Sequence, residues 1–420
     1  METVTESKVL SFVDALSVPQ TLTNTRKESL QALNAMEFPT TRVEEWKYTR
    51  VGRIANKKFT QGTPELKNSL ATFTIDKLDA HLLVFVNGYY RDDLSEIQDK
   101  DGLTIKSIEE LEDAYYSGLV EDTEENVFSL INKAYQTGGV CISVEKNKKV
   151  EKPIHLLHVI SGDQTIANVR HFLEVETGAE AEIITSYHSE NANDSFSNHV
   201  LEGHVGQNAR LTINKIQREE KSVFNITNEL FIQDKDSNFK INTITTGSLL
   251  TRNGLNVLVE GENCYTEMNG AYLGTEKQHL DNHTLIDQMY SNCVSSETYK
   301  GVMDDKSVGV FNGKVIVRQD AQKIEAYQSN GNILLSDTAT VNSKPELEIY
   351  ADDVRCSHGS TTGQIDEDAI FYLRSRGISK QNARKLMVAA FIGDVLDKID
   401  NEAVRANVDE LFFEEYGWKF

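Results

Sequence analysis

The sequence predicts a mainly β protein with helical segments at both ends, and two observations support this fold class. Between Gly138 and about Val354, short runs rich in Val, Ile, Thr and Phe recur with turn residues between them. Proline occurs in this region at Pro153 and Pro345, near its two ends, so nearly every residue between them can donate a backbone hydrogen bond to a sheet. We predict a mainly helical domain over 1–137, a β core over 138–360 and a helical domain over 361–420.

Helical spacing marks the start of the first domain. Apolar residues three and four apart predict two helices between residues 7 and 35, separated by Pro19. The segment 40–54, TTRVEEWKYTRVGRI, is predicted to pack its aromatic side chains in the core, with a binding surface as the alternative. A strand that enters an Asn-Gly turn is predicted over 81–90, and acidic helical structure over 107–136.

The residues of the β core do not decide how its strands are arranged. Turn signals at short intervals fit both a two-sheet sandwich and a stacked solenoid. Asn-Gly pairs predict local β-hairpins, and they lie at 253–254, 269–270, 312–313 and 330–331. No strict repeat period is visible, so the residues alone do not indicate a solenoid.

Helices are predicted again after His358. The acidic run 366–368 suits a helix start, and Gly377 suits the position after its end, with Arg374 and Arg376 in the last turn. A second helix is predicted from Ser379 and a third over 404–416. An apolar stripe on the second helix predicts the face that packs on the core; its members are Ala383, Leu386, Met387, Ala390, Phe391, Val395 and Ile399.

Cys356 and His358 are the main candidates for chemistry. Apolar and polar residues alternate just before them, which predicts a half-buried strand. The apolar members are Leu347, Ile349 and Ala351, and the polar members are Glu346, Glu348 and Tyr350. Continuing this alternation places Cys356 and His358 together on the polar face, where a thiolate and an imidazole supply two of the four donors of a tetrahedral site. The pair is interpreted as half a site, completed by a cofactor, another strand or another chain; the alternative is a packed cysteine beside a hydrogen-bonded histidine.

Four other residues are weaker candidates. His279 and His283 in a helix could hold a metal, but Thr284, Leu285 and Ile286 favour a strand, which separates them by about 13 Å at about 3.3 Å per residue. Cys264 and Cys293 have no donor residue near them in the sequence and are predicted to be packing residues.

Charge and motifs exclude several functions. The 43 Lys and Arg against 65 Asp and Glu give a net charge of −22, which repels phosphate backbones and anionic lipids, so neither nucleic acid nor membrane is an expected partner. Four widely spaced cysteines and a start without signal-peptide features predict reduced thiols in a cytoplasmic protein. No P-loop motif occurs, so nucleotide binding is not expected and any ATP hydrolysis is assigned to a partner.

A dense run of motif residues extends from Pro345 to Gly377. It contains C-S-H-G at 356–359 and R-S-R-G at 374–377, and E-E-W-K-Y-T occurs near the start of the chain at 44–49. These motifs resemble the SufB/SufD family of iron–sulfur cluster assembly proteins, and its SufD branch in particular. The chain departs from the family pattern at Gln288, where histidine is expected, and this departure argues against a ligand at that position.

The resemblance implies a right-handed parallel β-helix core and a non-catalytic assembly subunit. It implies that His358 and Cys356 hold a transient iron–sulfur cluster at a subunit interface shared with a SufB-like paralogue. It also implies that a SufC-type ABC ATPase docks on the C-terminal helices, where the docking residues are Arg374, Arg376, Gly377, Leu386, Met387 and Phe391. For Arg374 and Arg376, helix capping is an equal alternative.

Two further functions compete with this one. A carbohydrate-active β-helix enzyme accounts for an acidic, β-rich chain, but it predicts export and gives no reason for C-S-H-G or a helical tail. A homodimeric scaffold, in which Cys356 and His358 only pack, is the second alternative.

Overall fold

The computed structural model describes residues 7–98, 100–113, 116 and 126–416, with the backbone alone described for 414–416. Two sheets of ten strands each form its centre. The strands are β1 (Thr60–Gln61), β2 (His81–Val86), β3 (Tyr89–Tyr90), β4 (Leu103–Ser107), β5 (Val140–Val144), β6 (Ile154–Ser161), β7 (Thr165–Val175), β8 (Glu180–Glu190), β9 (Phe196–Val205), β10 (Arg210–Gln217), β11 (Phe224–Gln233), β12 (Asn238–Thr245), β13 (Leu250–Val259), β14 (Tyr265–Gly274), β15 (His279–Gln288), β16 (Val294–Met303), β17 (Val308–Val317), β18 (Ile324–Leu334), β19 (Thr340–Ile349) and β20 (Val354–Gln364).

Successive strands from β5 onwards alternate between the two sheets, so the chain winds as a parallel β-helix of about eight turns. Sheet A has the order β19-β17-β15-β13-β11-β9-β7-β5-β4, with β1 beside β7, and sheet B has the order β20-β18-β16-β14-β12-β10-β8-β6-β2-β3. The pairs β2–β3 and β4–β5 are antiparallel, and the other neighbours are parallel. The predicted parallel β-helix core with helices at both ends is confirmed, and the sandwich alternative is wrong.

The turns of the β-helix differ in length. Phe224 pairs with Leu250, 26 residues further on, whereas Val308 pairs with Thr340, 32 residues further on. Because each turn has its own corner lengths, residues stacked on one another do not recur at a fixed interval. This irregularity explains why the sequence shows no period.

The hairpins predicted at four Asn-Gly pairs are wrong, because all four pairs lie inside parallel strands, in β13, β14, β17 and β18. In β14 the Asn269 amide donates to the Asn242 side chain on the neighbouring strand at 3.0 Å, so this asparagine joins a ladder between turns. Gly270 leaves room for the Tyr299 ring, since a Cβ at this position would lie 2.3 Å from a ring carbon. The predicted Asn-Gly turn after β2 is present and joins β2 to β3.

Helices before the core pack on the outer face of sheet A. They are α1 (Lys8–Val13), α2 (Thr23–Leu33), α3 (Gly52–Ala55) and α4 (Val127–Tyr135). Side chains of α1 and α4 share one apolar cluster with Phe196 and Phe224 of the sheet, and Trp46 is buried in it as predicted. The first two helices confirm the prediction for residues 7–35.

The prediction of helix over 107–136 is only partly right. Residues 108–110 form a 3-10 turn after β4, and regular helix is found in α4. Asn126 caps α4, accepting hydrogen bonds from the backbone N–H groups of Phe128 and Ser129. Residues 114, 115 and 117–125 of the predicted stretch lie outside the described residues.

Three helices follow the core within the described residues: α5 (Glu367–Ser375), α6 (Lys380–Leu396) and α7 (Glu402–Tyr416). Asp366 and Ser379 cap the first two, and Gly377 has a φ of +89° after the end of α5, as the sequence predicts. The helices cover the outer face of sheet B, where the Lys300 ammonium lies 2.6 Å from the Asp394 carboxylate. None of the helices in the described ranges is long and apolar enough to cross a bilayer.

The packing stripe predicted for the second helix is right in part. Ala383, Val395 and Ile399 are buried, and Met387 and Phe391 pack against the same cluster. Leu386 is 45% exposed and Ala390 is exposed as well, whereas Val388 and Ile392, which the prediction left out, are buried. Leu386 is therefore left at the surface, where it can contact another molecule.

Candidate functional site

The last turn of the β-helix is open. β19 pairs with β17 and β20 pairs with β18, and no other strand in the described part of the chain pairs with the outer edge of either. Backbone N–H and C=O groups along both edges are therefore free to bond to another strand. Gly359 and Gly363 add to this accessibility, because a Cβ built on either one would find no atom within 4 Å.

Cys356 and His358 lie on β20, on the same face of the strand. Cys356 pairs in register with Ala326 and His358 with Gln328, and both partners are buried in the lumen of the β-helix. The two side chains therefore continue lumen columns, which corrects the prediction that they lie on an outer, polar face. Cys356 is half-buried and packs against the core, whereas His358 is exposed because no further described turn covers it.

The corner between β19 and β20 explains the error. β19 ends at Ile349 and β20 begins at Val354, so the alternation of the first strand does not continue into the second. The predicted alternation is also weak within β19, where Leu347 packs on the core but Ile349 is 41% exposed. A terminal turn has neighbours on one side only, and both of its faces meet water.

Below His358, a polar column leads into the lumen. The Gln328 amide donates to Glu297 Oε2 at 2.7 Å, and the Thr284 hydroxyl donates to Glu297 Oε1 at 2.5 Å. Burial raises the pKa of the Glu297 carboxyl to about 7, so about half of these groups are protonated at neutral pH. Sequence reasoning missed Gln328 and Glu297, since no motif marks them. They are aligned with His358 only because successive turns of the β-helix lie on top of one another.

A second polar network joins the two strands of the open turn. The Ser360 hydroxyl bonds to Ser343 at 2.7 Å, and Ser343 donates to Asn330 at 2.7 Å. Asn330 donates in turn to the Tyr272 hydroxyl at 3.1 Å. These bonds connect β20 with β19 across the lumen and hold the end of the β-helix in shape.

The donor set at this end is incomplete. Burial raises the pKa of the Cys356 thiol, so the thiol stays protonated at neutral pH unless a metal or a nearby cation favours the thiolate. Among the described residues, no three His, Cys, Asp or Glu side chains lie close enough together to hold a metal ion. One thiol and one imidazole can ligate a metal or cluster only together with donors from elsewhere.

A second candidate surface lies on α5 and α6. Phe371 is 71% exposed, Tyr372 58% and Leu386 45%, which is unusual for side chains of this size. Four of the residues predicted to dock a partner are exposed, namely Arg374, Arg376, Gly377 and Leu386. The other two, Met387 and Phe391, are half-buried against the cluster under the helices.

His279 and His283 belong to β15 and attach the N-terminal segment to the sheet. The Thr49 hydroxyl lies 2.8 Å from His279 Nε2 and donates to Asp281 at 2.5 Å, and His283 Nε2 lies 3.1 Å from the Asp281 carboxylate. The strand prediction is confirmed. Arg252 completes the cluster, because it pairs with Asp281 and stacks 3.7 Å over the Trp46 ring. The E-E-W-K-Y-T segment therefore docks here on sheet A.

Cys264 and Cys293 are buried, as expected of packing residues, but they are not isolated from other donors. They precede β14 and β16, whose register places them side by side on adjacent turns, and the Val294 N–H donates to the Cys264 carbonyl at 2.9 Å. The sequence separates them by one turn of irregular length, which is why the pairing was missed.

Three histidines meet inside the early turns, and sequence reasoning did not single them out: the His158 ring lies 5.2 Å from that of His171 and 4.7 Å from that of His199. His158 also stacks between Phe85 and Tyr187 with ring centroids 5.0 Å from each, and neither of its nitrogens has a hydrogen-bond partner among the described residues. Two more histidines, His155 and His188, are buried on the other face of the same sheet, beside Ser186 and Phe73. Burial lowers the pKa of all five, that of His155 to about 4 and that of His171 to about 3, so all five are neutral at pH 7.

A charged pair crosses the middle of the lumen. Lys215 Nζ donates to Glu229 Oε2 at 2.8 Å and to the Thr227 hydroxyl at 2.7 Å. The two charged side chains are 0% and 2% exposed. Each charge is therefore compensated mainly by the other.

Comparison with known proteins shows which family has this architecture. A model described as "SUF system FeS cluster assembly, SufBD core domain" matches residues 158–391, and one described as "SufBD protein N-terminal region" matches residues 12–156. An iron–sulfur cluster assembly SufBD family protein of Synechocystis is 33% identical over 90% of this chain and 87% of its own length. The iron–sulfur cluster assembly protein SufD of Escherichia coli is 30% identical over 91% of this chain and 90% of its own length, and that of Bacillus subtilis is 24% identical over 96% and 95%.

Proposed function

The chain belongs to the SufBD family of iron–sulfur cluster assembly proteins, as its motifs predict, and from this membership we propose that it is a SufD-type scaffold subunit. It pairs with a SufB-like paralogue and a SufC-type ATPase in the cytoplasm, and together they build and hand on nascent clusters. It carries out no catalysis of its own, and ATP is hydrolysed by the partner. The family match favours this role over that of a carbohydrate-active enzyme.

The open last turn is the observation that carries the proposal. It presents a half-buried thiol and an exposed imidazole on one strand, beside two sheet edges that are free in the described part of the chain. A partner strand that pairs with β20 would stand about 4.8 Å away, close enough for its own cysteine or carboxylate to complete the donor set. The nascent cluster is then cargo shared between two subunits.

Each residue of the pair has a distinct role in this proposal. His358 is already accessible and offers an imidazole nitrogen on the lumen side of β20. Cys356 becomes a ligand only after it loses its proton, which the positive charge of iron promotes. Cluster loading is therefore accompanied by release of the thiol proton.

Replacing His358 tests the cluster role. We expect His358→Ala to lower the iron and sulfide retained by the reconstituted complex about tenfold, because even outer-shell partners of metal ligands contribute this much affinity. Iron and sulfide are measured per complex after anaerobic reconstitution with the paralogue and the ATPase. His204→Ala is the matched control, since His204 lies on β9, distant from the open turn. Unchanged iron and sulfide in the His358 variant would contradict the ligand role.

The exposed apolar surface on α5 and α6 tests the ATPase docking. We expect Phe371→Ser combined with Leu386→Ser to weaken capture of the ATPase subunit about tenfold or more, because exposed aromatic and aliphatic anchors dominate interface energies. Phe413→Ser is the control, since Phe413 is 55% exposed on the neighbouring helix α7. Equal capture by both variants would show that the ATPase docks elsewhere.

A further inference from the structure

Cys264 and Cys293 form a pair that the proposed function does not use. Each is the residue before a strand of sheet B, and Tyr265 pairs in register with Val294, so the two cysteines are stacked on adjacent turns. Neighbouring strands lie about 4.8 Å apart, within the range of about 4.4–6.8 Å between Cα atoms that a disulfide requires. Both thiols are free.

The side chains of the pair point to one place. The two sulfurs converge on one backbone oxygen, since Cys264 Sγ lies 3.3 Å and Cys293 Sγ 3.2 Å from the Gly261 carbonyl oxygen. The hydrogen bond between the two thiols lowers the pKa of Cys264 and raises that of Cys293, so Cys264 is the member that loses its proton more readily.

The pair lies at a corner of the β-helix. Cys264 follows the exposed residues Glu262 and Asn263, and Cys293 follows the exposed Asn292. Both cysteines are themselves buried, with 1% and 0% of their surface exposed. A water-sized oxidant such as hydrogen peroxide requires only a local opening of this corner to reach Cys264.

The other cysteines cannot replace either member. Cys293 is followed in its column by Ile324 and then by Val354, so Cys356 lies two turns away, roughly 10 Å at 4.8 Å per turn. Cys141 pairs with Phe172 in sheet A. The geometry thus separates this pair from the site at the open end.

We propose that Cys264 and Cys293 are a peroxide-oxidisable dithiol that closes into a disulfide between two adjacent turns. The Cys264 thiolate attacks a peroxide oxygen, an S–O bond forms, the O–O bond breaks, and the departing hydroxide takes up a proton to give water. The Cys293 sulfur then attacks the sulfenic sulfur of Cys264, forming the S–S bond, while the S–O oxygen leaves as a second water carrying the Cys293 proton. Two thiols are oxidised for each peroxide reduced.

Peptide mapping of the full chain tests the proposal. The purified native protein is treated with hydrogen peroxide, alkylated under denaturing conditions and digested. We expect two of its four thiols to become protected, a linked peptide that contains Cys264 and Cys293, and full recovery of alkylation after dithiothreitol. Alkylation of both residues after treatment, or a linked peptide formed only from unfolded protein, would overturn the proposal.

Matched variants separate the members of the pair. In Cys293→Ser the second step is blocked, and dimedone is expected to label Cys264 as a sulfenic acid. In Cys356→Ser the linked peptide is expected unchanged, because Cys356 takes no part. A disulfide between Cys264 and Cys356 in the unmodified protein would overturn the assignment, and it leaves the cluster test at His358 unaffected.

Discussion

Lowering the pH from 7 to 5 is expected to decrease the free energy of unfolding by about 5 kcal/mol. The five buried histidines stay neutral in the fold, with pKa values well below 6.5, whereas they take up protons in the unfolded chain below pH 6.5. The unfolded state therefore binds more protons than the folded state. At pH 5 each histidine lowers the free energy of unfolding by about 2 kcal/mol. The free energy of unfolding therefore decreases progressively as the pH falls from about 6.5 to the pKa values that the histidines have in the folded state.

Two buried carboxyls oppose this loss. Burial raises the pKa of Glu219 and of Glu297 to about 7, so both bind protons in the fold at a pH where the unfolded chain does not. As the pH falls from 7 to 5, each adds about 2 kcal/mol of stability. The histidines outweigh them, because five groups act in one direction and two in the other.

Urea unfolding at pH 7, 6 and 5 measures the effect. In His158→Phe the ring still stacks on Phe85 and Tyr187 and two buried nitrogens without partners are removed, so the loss at pH 5 is expected to shrink by about 2 kcal/mol. Identical pH dependence in the variant and the unmodified protein would contradict the role of the buried histidines.

His204 provides a control of opposite sign. Glu174, which bonds to its ring at 2.9 Å, and then Asp234 raise the pKa of His204 to about 9. Its contribution to stability is full below pH 6.5 and is lost as the pH rises through 9, so His204→Asn is not expected to relieve the loss at pH 5.

Replacing Lys215 by methionine is expected to destabilise the fold by about 3–5 kcal/mol, because it leaves the Glu229 carboxylate in the lumen without its cation. Glu229 Oε1 already has no partner among the described residues, so the carboxylate cannot rely on a second donor. Chemical unfolding at pH 7 measures the loss.

A second substitution shows whether the isolated charge is the cause. Lys215→Met combined with Glu229→Met removes both charges and is expected to recover most of the lost stability. Lys221→Met is the surface control, because the ion pair of Lys221 with Glu276 joins side chains that are 37% and 66% exposed. We expect this substitution to lower the free energy of unfolding by less than about 1 kcal/mol. A double variant as unstable as the single one would show that packing, not charge, is lost.

The sequence could predict the features that depend on neighbouring residues. The caps at Asp366 and Ser379, the end of α5 at Gly377 and the Asn-Gly turn after β2 are all local, and the structure has all of them. The same Asn-Gly signal failed at Gly270, which lies inside a parallel strand pair and leaves room for the Tyr299 ring of the next turn. Local chemistry alone cannot separate these two cases.

The site depends on contacts between turns, which the sequence does not show. The spacing of Cys356 and His358 correctly placed them on one face of a strand, but the corner before β20 determined which face it is. Gln328, Glu297 and the Cys264–Cys293 pair are brought together by stacking of turns with unequal lengths. A residue pattern without a period cannot reveal these contacts.

The open turn also determines how the stack loses order. In a linear array each unit is stabilised by the units on either side, and the final unit has a single neighbour. Fraying is therefore expected to begin at β19 and β20 and to move inwards. A subunit that binds there supplies the missing neighbour, so assembly of the complex stiffens the strand that carries Cys356 and His358, and dissociation returns that strand to a looser state.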